Sequence, residues 1–94
     1  MNARPYRERM YACVHPQTYK YFFPREVVED VWARLSENFG PVQRNDSFRV
    51  MEIAGPHFIV RATYLGNPVT VIRRRTCTDE HVRALHAVME YDGE

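Results

Sequence analysis

The chain has 94 residues, 45% of them apolar and 27% charged, and thirteen Lys and Arg against twelve Asp and Glu give a net charge of +1. That length holds one domain, residues 1–94, which buries about two thirds of its unfolded surface, and the composition excludes a disordered tail protein. A pI near 7.8 argues against a domain held mainly by phosphate contacts, and no apolar run reaches the roughly 18 residues of a membrane span.

Six Tyr, five Phe and one Trp make 13% of the chain aromatic, more than so small a core needs, so some rings are expected at the surface or in a partner's interface. Cys13 and Cys77 are too few for a disulfide scaffold. With no apolar signal core after Met1, a cytoplasmic location with free thiols is expected.

Residues 1–8 carry Arg4, Pro5, Arg7 and Glu8 without period and read as a flexible arm. Strands are predicted from Arg9 to His15 and from Tyr19 to Phe23, with Pro16-Gln17-Thr18 as the turn. Pro24 suits the first turn of a helix over Arg25 to Asn38, with Glu26, Glu29 and Asp30 near its positive end. Val28, Val31, Trp32, Leu35 and Phe39 recur at helical spacing as its buried face, and Gly40-Pro41 stops it.

Pro41 to Asp46 is polar and reads as a loop, and Phe48 to Ala54 as a strand with two mixed faces. Phe58 to Tyr64 and Val69 to Arg75 are β-branched and aromatic runs around Leu65-Gly66-Asn67-Pro68, where Gly66 and Asn67 accept a tight hairpin turn. A two-residue loop there sets Tyr64 against Val69, Ala62 against Val71 and Val60 against Arg73. Phe58, Val60, Ala62, Tyr64, Val69 and Val71 then share the core face. Thr76 or Thr78 can cap a last helix, Asp79 to Glu90, which buries Val82, Leu85, Val88 and Met89.

The expected fold is therefore α+β, with element order β-β-α-β-β-β-α: a mainly antiparallel sheet of four to five strands, with two helices packed on one face. The order strand, helix, three strands, helix resembles that of RelE-type toxins, and the inner helix, three strands, helix is similar to HicA-type toxins and double-stranded RNA-binding domains. Gly55-Pro56-His57 resembles the glycine-to-histidine segment of HicA toxins, with Phe58 where their second histidine stands. Asp79 and Glu80 replace the lysine-rich helix start of double-stranded RNA-binding domains. What the likeness to toxins implies is a small metal-free ribonuclease using His57 as its acid or base.

Two sets of side chains stand out for binding. Arg73, Arg74 and Arg75, with Arg61 behind them, form a basic rim, and Tyr19 and Tyr21 belong to an aromatic cluster on the first hairpin. Cys13-x-His15 and Cys77-x-x-x-His81 lack the spacing of a zinc finger or knuckle, so no metal, no cofactor and no catalytic residue is expected. The leading expectation is a non-enzymatic interaction module. It would be an accessory, regulatory or inhibitory protein, of the kind that viruses and mobile elements encode, binding another protein through Tyr19, Tyr21, Arg61, Arg73, Arg74 and Arg75. Nucleic-acid binding by the arginine-rich hairpin end is the alternative, and the toxin-type ribonuclease the second. No membrane partner is expected, and the sequence leaves a homodimer open.

Overall fold

A computed structural model describes residues 5–10 and 18–91. The strands are β1 (Tyr6–Met10), β2 (Thr18–Phe22), β3 (Gln43–Asn45), β4 (Val50–Ala54), β5 (Phe58–Thr63) and β6 (Val69–Arg73), and the helices α1 (Val28–Phe39) and α2 (Asp79–Met89). All neighbouring strands are antiparallel, in the order β1-β2-β6-β5-β4-β3. The α+β class and antiparallel sheet agree with the pattern of residues. Six strands replace the expected four to five.

The core follows from strand alternation. Tyr21, Val69, Val71, Val60, Ala62, Met51 and Ile53 fall on one face by register. They pack in a single cluster with Val28, Val31, Trp32 and Leu35 of α1 and Leu85 and Met89 of α2. Phe58 joins them edge-to-face with Phe39, the centroids 5.0 Å apart. On the other face a polar row runs through Lys20, Thr70, Arg61, Glu52 and Gln43, beside a half-buried apolar row of Ile72 and Ile59.

Six expectations need correction. Tyr6–Glu8 are not part of a flexible arm but of β1, because Tyr6 stacks on Phe22 at 4.7 Å and Arg7 lies over the Tyr19 ring. The first strand therefore begins at Tyr6 rather than Arg9; its expected end and the turn at Pro16 and Gln17 fall outside the described residues. Within the supposed 41–46 loop lies β3, a wholly exposed strand whose pairing with β4 comes from backbone bonds that no apolar pattern announces. The first helical residues, Arg25–Val27, form a 3-10 turn, and Pro24 precedes it in extended conformation, ψ 140°. In the central hairpin Val60 faces Val71 and Phe58 faces Arg73, two residues off the expected register. Side chains alternate with period two, so that slip leaves every strand residue on its expected face. Tyr64, beyond the end of β5, loses its core place and is exposed.

The slip has a visible cause. Instead of closing tightly, the β5–β6 loop reaches to α1 and its lead-in, where the buried Trp32 indole N–H donates to the Gly66 carbonyl at 2.8 Å. Asn67 clamps the Phe23 backbone, its Oδ1 accepting from the N–H at 3.1 Å and its Nδ2 donating to the carbonyl at 2.9 Å. Gly66 sits at φ 75° with Val28 against it, and a Cβ there would meet Val28 Cγ1 at 2.8 Å. From the middle of α1, Arg34 crosses to the C-terminus of α2. Its Nε donates to the Val88 carbonyl at 2.7 Å, and a terminal nitrogen reaches Met89 O at 3.3 Å and Glu90 at 3.2 Å. Carbonyls at a helix C-terminus lack intrahelical donors and carry partial negative charge, so a guanidinium serves them twice over.

Gly66→Ala combines a positive φ with a steric clash and is expected to destabilise the fold by about 2–3 kcal/mol. Trp32→Phe leaves the Gly66 carbonyl without its donor and is expected to cost about 1–2 kcal/mol. Urea unfolding followed by circular dichroism checks both: the midpoints fall at unchanged slope, and unchanged midpoints would remove this loop from the fold's supports.

Candidate functional site

Of the six side chains singled out from the sequence, Tyr19 and Arg73 interact, but the six do not converge on one site. Tyr21 is 1% exposed and belongs to the core, so its ring is not a contact surface in this fold. Tyr19 is half-buried beneath Arg7, whose guanidinium lies 5.1 Å from the ring centre. Arg61 stands on the opposite face of the sheet, with Nε and a terminal nitrogen on one oxygen of Glu52 at 2.9 and 2.7 Å. That pair is exposed and worth about 0–1 kcal/mol. Arg73 is half-buried at the N-terminal end of α2, bonded to the Cys77 carbonyl at 3.3 Å and 3.6 Å from Asp79, while its Nε is buried without a partner. Arg74 and Arg75 are exposed, and Arg74 Nε donates to the Gly55 carbonyl at 3.2 Å.

What the fold does gather is a group of apolar side chains at one end of the sheet. Phe48 in the β3–β4 turn is 77% exposed, and Leu65 in the β5–β6 loop is 83% exposed. The two loops are joined by a bond from Tyr64 N–H to the Arg49 carbonyl at 3.2 Å, which extends the β4–β5 ladder past Val50 and Thr63. Tyr64 locks the pair further, donating its hydroxyl to Asp46 while Arg44 lies 5.7 Å from its ring centre. The bond to Asp46 holds the Tyr64 phenol above its ordinary value of 10.0. Grooves border this end on both sides, one of about 660 Å³ lined by Arg44, Phe48 and Val50, the other of about 880 Å³ lined by Arg25, Tyr64 and Leu65. Neither Phe48 nor Leu65 was legible as a contact residue, since Phe48 reads as the start of a strand and Leu65 as a residue flanking the hairpin turn.

At the other end of β5, the Gly55-Pro56-His57 turn meets the loop leading into α2. His57 and His81 stack there with ring centres 3.7 Å apart and planes 9° from parallel. His81 also closes the capping box of α2: Thr78 Oγ1 accepts from His81 N–H, and His81 Nδ1 accepts from Thr78 N–H. Sequence separation hid this pair, because only the antiparallel return of β6 brings the two residues together.

Cys13 and His15 lie outside the described residues. Among the described residues no three His, Cys, Asp or Glu side chains cluster to hold a metal ion, and Cys77 is a free thiol. Among these residues, too, no helix is long and apolar enough to cross a membrane.

A third histidine, His86, faces the core between β2 and α2. Its Nε2 lies 2.8 Å from the Tyr21 hydroxyl, which also receives a long bond from Arg7 at 3.4 Å. Burial, and then the charge of Arg7, lower the His86 pKa from 6.5 to about 4. The folded state therefore binds this proton less readily than the unfolded chain. Stability is fullest above pH 6.5 and declines as pH falls toward about 4, by of order 1–2 kcal/mol after allowing for solvent screening of the partly exposed ring. Melting temperatures measured from pH 7 to pH 4 are expected to fall further for the wild type than for His86→Gln; parallel curves would assign the loss to other groups.

No protein-family model, no curated protein and no solved structure matches this chain.

Proposed function

We propose that the chain is a protein-interaction module whose contact surface is the end of the sheet carrying Phe48, Tyr64 and Leu65. The observation that carries this reading is the exposure of Phe48 and Leu65 on two loops held together by the Tyr64-to-Arg49 bond. A phenyl ring and an isobutyl group left in water each forgo about 1.5–3 kcal/mol of burial, which a partner could recover. Rings held on short, hydrogen-bonded loops also lose little freedom on docking, as in the anchors of known interfaces. Arg44 and Arg49 border the rings and supply the charged rim of such a surface.

The reading keeps the expected partner class and moves the contact from the first hairpin to the opposite loops. A nucleic-acid reading draws less support, since Arg61 is neutralised by Glu52 and Arg73 is committed to Cys77 and Asp79. An accessory or inhibitory role follows from small size and a surface suited to occupying a larger protein's groove.

Phe48→Ser with Leu65→Ser removes both apolar groups from positions that make no core contact, so the melting temperature is expected to stay within about 2 °C. Affinity capture after nuclease treatment is expected to retain a defined protein on the wild type and to lose it on the double variant. Capture that survives in the double variant, or that disappears with nuclease, would move the partner elsewhere or replace it with nucleic acid.

A further inference from the structure

The stacked histidines at the far end of β5 carry different neutral tautomers, and their hydrogen bonds decide which. A backbone N–H can only donate, so His81 Nδ1 accepts from Thr78 at 3.0 Å, and the neutral ring carries its proton on Nε2. His57 Nδ1 lies 3.0 Å from Thr76 Oγ1, and that hydroxyl lies 3.4 Å from the Pro56 carbonyl, which can only accept. Both contacts are hydrogen bonds at once only when Thr76 gives its single hydrogen to Pro56 and takes one from His57 Nδ1, an assignment that leaves His57 Nε2 bare. Both Nε2 atoms lack a partner among the described residues, and neither is sealed from solvent. One N–H donor and one nitrogen acceptor thus stand in parallel rings 3.7 Å apart.

The turn that carries His57 also holds an arginine. Arg74 is fixed in this corner by its backbone N–H on the His57 carbonyl at 2.9 Å and by its Nε on the Gly55 carbonyl. Asp79 lies 3.6 Å from Arg73, which offsets its charge. A ligand matched to this corner carries negative charge for the guanidinium, an oxygen to accept from His81 Nε2–H, and a hydrogen shared with His57 Nε2.

We propose that His57, His81 and Arg74 form a binding site for a phosphate monoester or inorganic phosphate. A monoester, whose second pKa lies near 6, is mostly the dianion at neutral pH, and its oxygen is basic enough to share with His57 Nε2 a hydrogen taken up from solvent on binding. Sulfate and phosphodiesters are too weakly basic to share one. A metal ion would need both Nε2 atoms bare, and His81 meets that need only by moving its proton to Nδ1 and breaking the helix cap. The site lies on other residues than the apolar loop end, and neither proposal depends on the other.

Calorimetric titration of the full chain with inorganic phosphate, a nucleoside 5′-monophosphate and phosphoserine tests the site, with sulfate and the unphosphorylated nucleoside as controls. At least one phosphorylated ligand is expected to bind at least about tenfold more tightly than sulfate, a difference of about 1.4 kcal/mol. The tightest of the three identifies the source of the phosphoryl group. His57→Asn keeps an atom facing Thr76 but deletes Nε2, and His81→Glu keeps a capping box while placing a carboxylate against the anion. Each is expected to weaken phosphate binding at least about tenfold with unchanged circular dichroism. If His81→Glu unfolds, His57→Asn carries the test. Sulfate binding as tightly as phosphate, no phosphorylated ligand binding, or wild-type affinity in His57→Asn would overturn the assignment.

Discussion

The arrangement of this small domain depends on a loop that is held from within. Trp32 on α1 donates to Gly66, and Asn67 makes two bonds to Phe23, so helix, helix lead-in and central hairpin meet at one place. Each bond adds only about 1 kcal/mol net, yet breaking one leaves a partly or wholly buried polar group unpaired, which costs more than the bond was worth. The loop cannot be both a tight hairpin turn and a dock for α1. Docking prevails, which shortens β5 and turns Leu65 outward. The contact that fixes the fold therefore also exposes the side chain on which the proposed interface rests.

The distribution of arginine shows how a chain with almost no net charge can still have specialised surfaces. Arg34 is spent on the C-terminal carbonyls of α2, Arg61 on Glu52, and Arg73 on the loop before α2. A guanidinium with its donors already used contributes little to long-range attraction, and its planar fork acts instead as a structural clip. Counting arginines in the sequence thus overstates the basic surface. Of the exposed arginines, Arg74 and Arg75 occupy one corner, where two histidines set the hydrogen-bonding pattern.

Local signals were legible in the sequence wherever one residue determines its own neighbourhood. The apolar spacing of α1, the Gly40 stop, the Thr78 cap and the alternation of β5 and β6 all follow from such short-range chemistry. β3 was not legible, because Gln43-Arg44-Asn45 has neither β-branched residues nor a buried face, and its structure comes from β4 alongside. The hairpin register was missed because Asn67 answers to Phe23, 44 residues away, rather than to its neighbours. Tyr21 was taken for a surface ring since Tyr19, Lys20 and Phe22 flank it, but its partners, His86 and Tyr91, lie on and beyond α2. The His57 and His81 pair is of the same kind: each residue has a plausible local role, and only the return of β6 makes them one feature.

The geometry of β5 separates the two proposed sites. Its six residues begin next to His57 and end next to Tyr64, so the histidine corner and the apolar loops lie about 20 Å apart along one strand. In a domain measuring 37 × 33 × 25 Å that is much of its width, and a partner seated on Phe48 and Leu65 leaves the histidines open to solvent. Both ends are built from loops anchored to the same rigid hairpin: Tyr64 bonds to Arg49 at one end and Arg74 to His57 at the other. A strand in mid-sheet is poorly placed to carry a change in shape, since sliding it by one residue would turn its whole core face toward water. Occupation of one end should therefore leave the geometry of the other unaltered, so that the two proposed surfaces would be independent of one another on one frame.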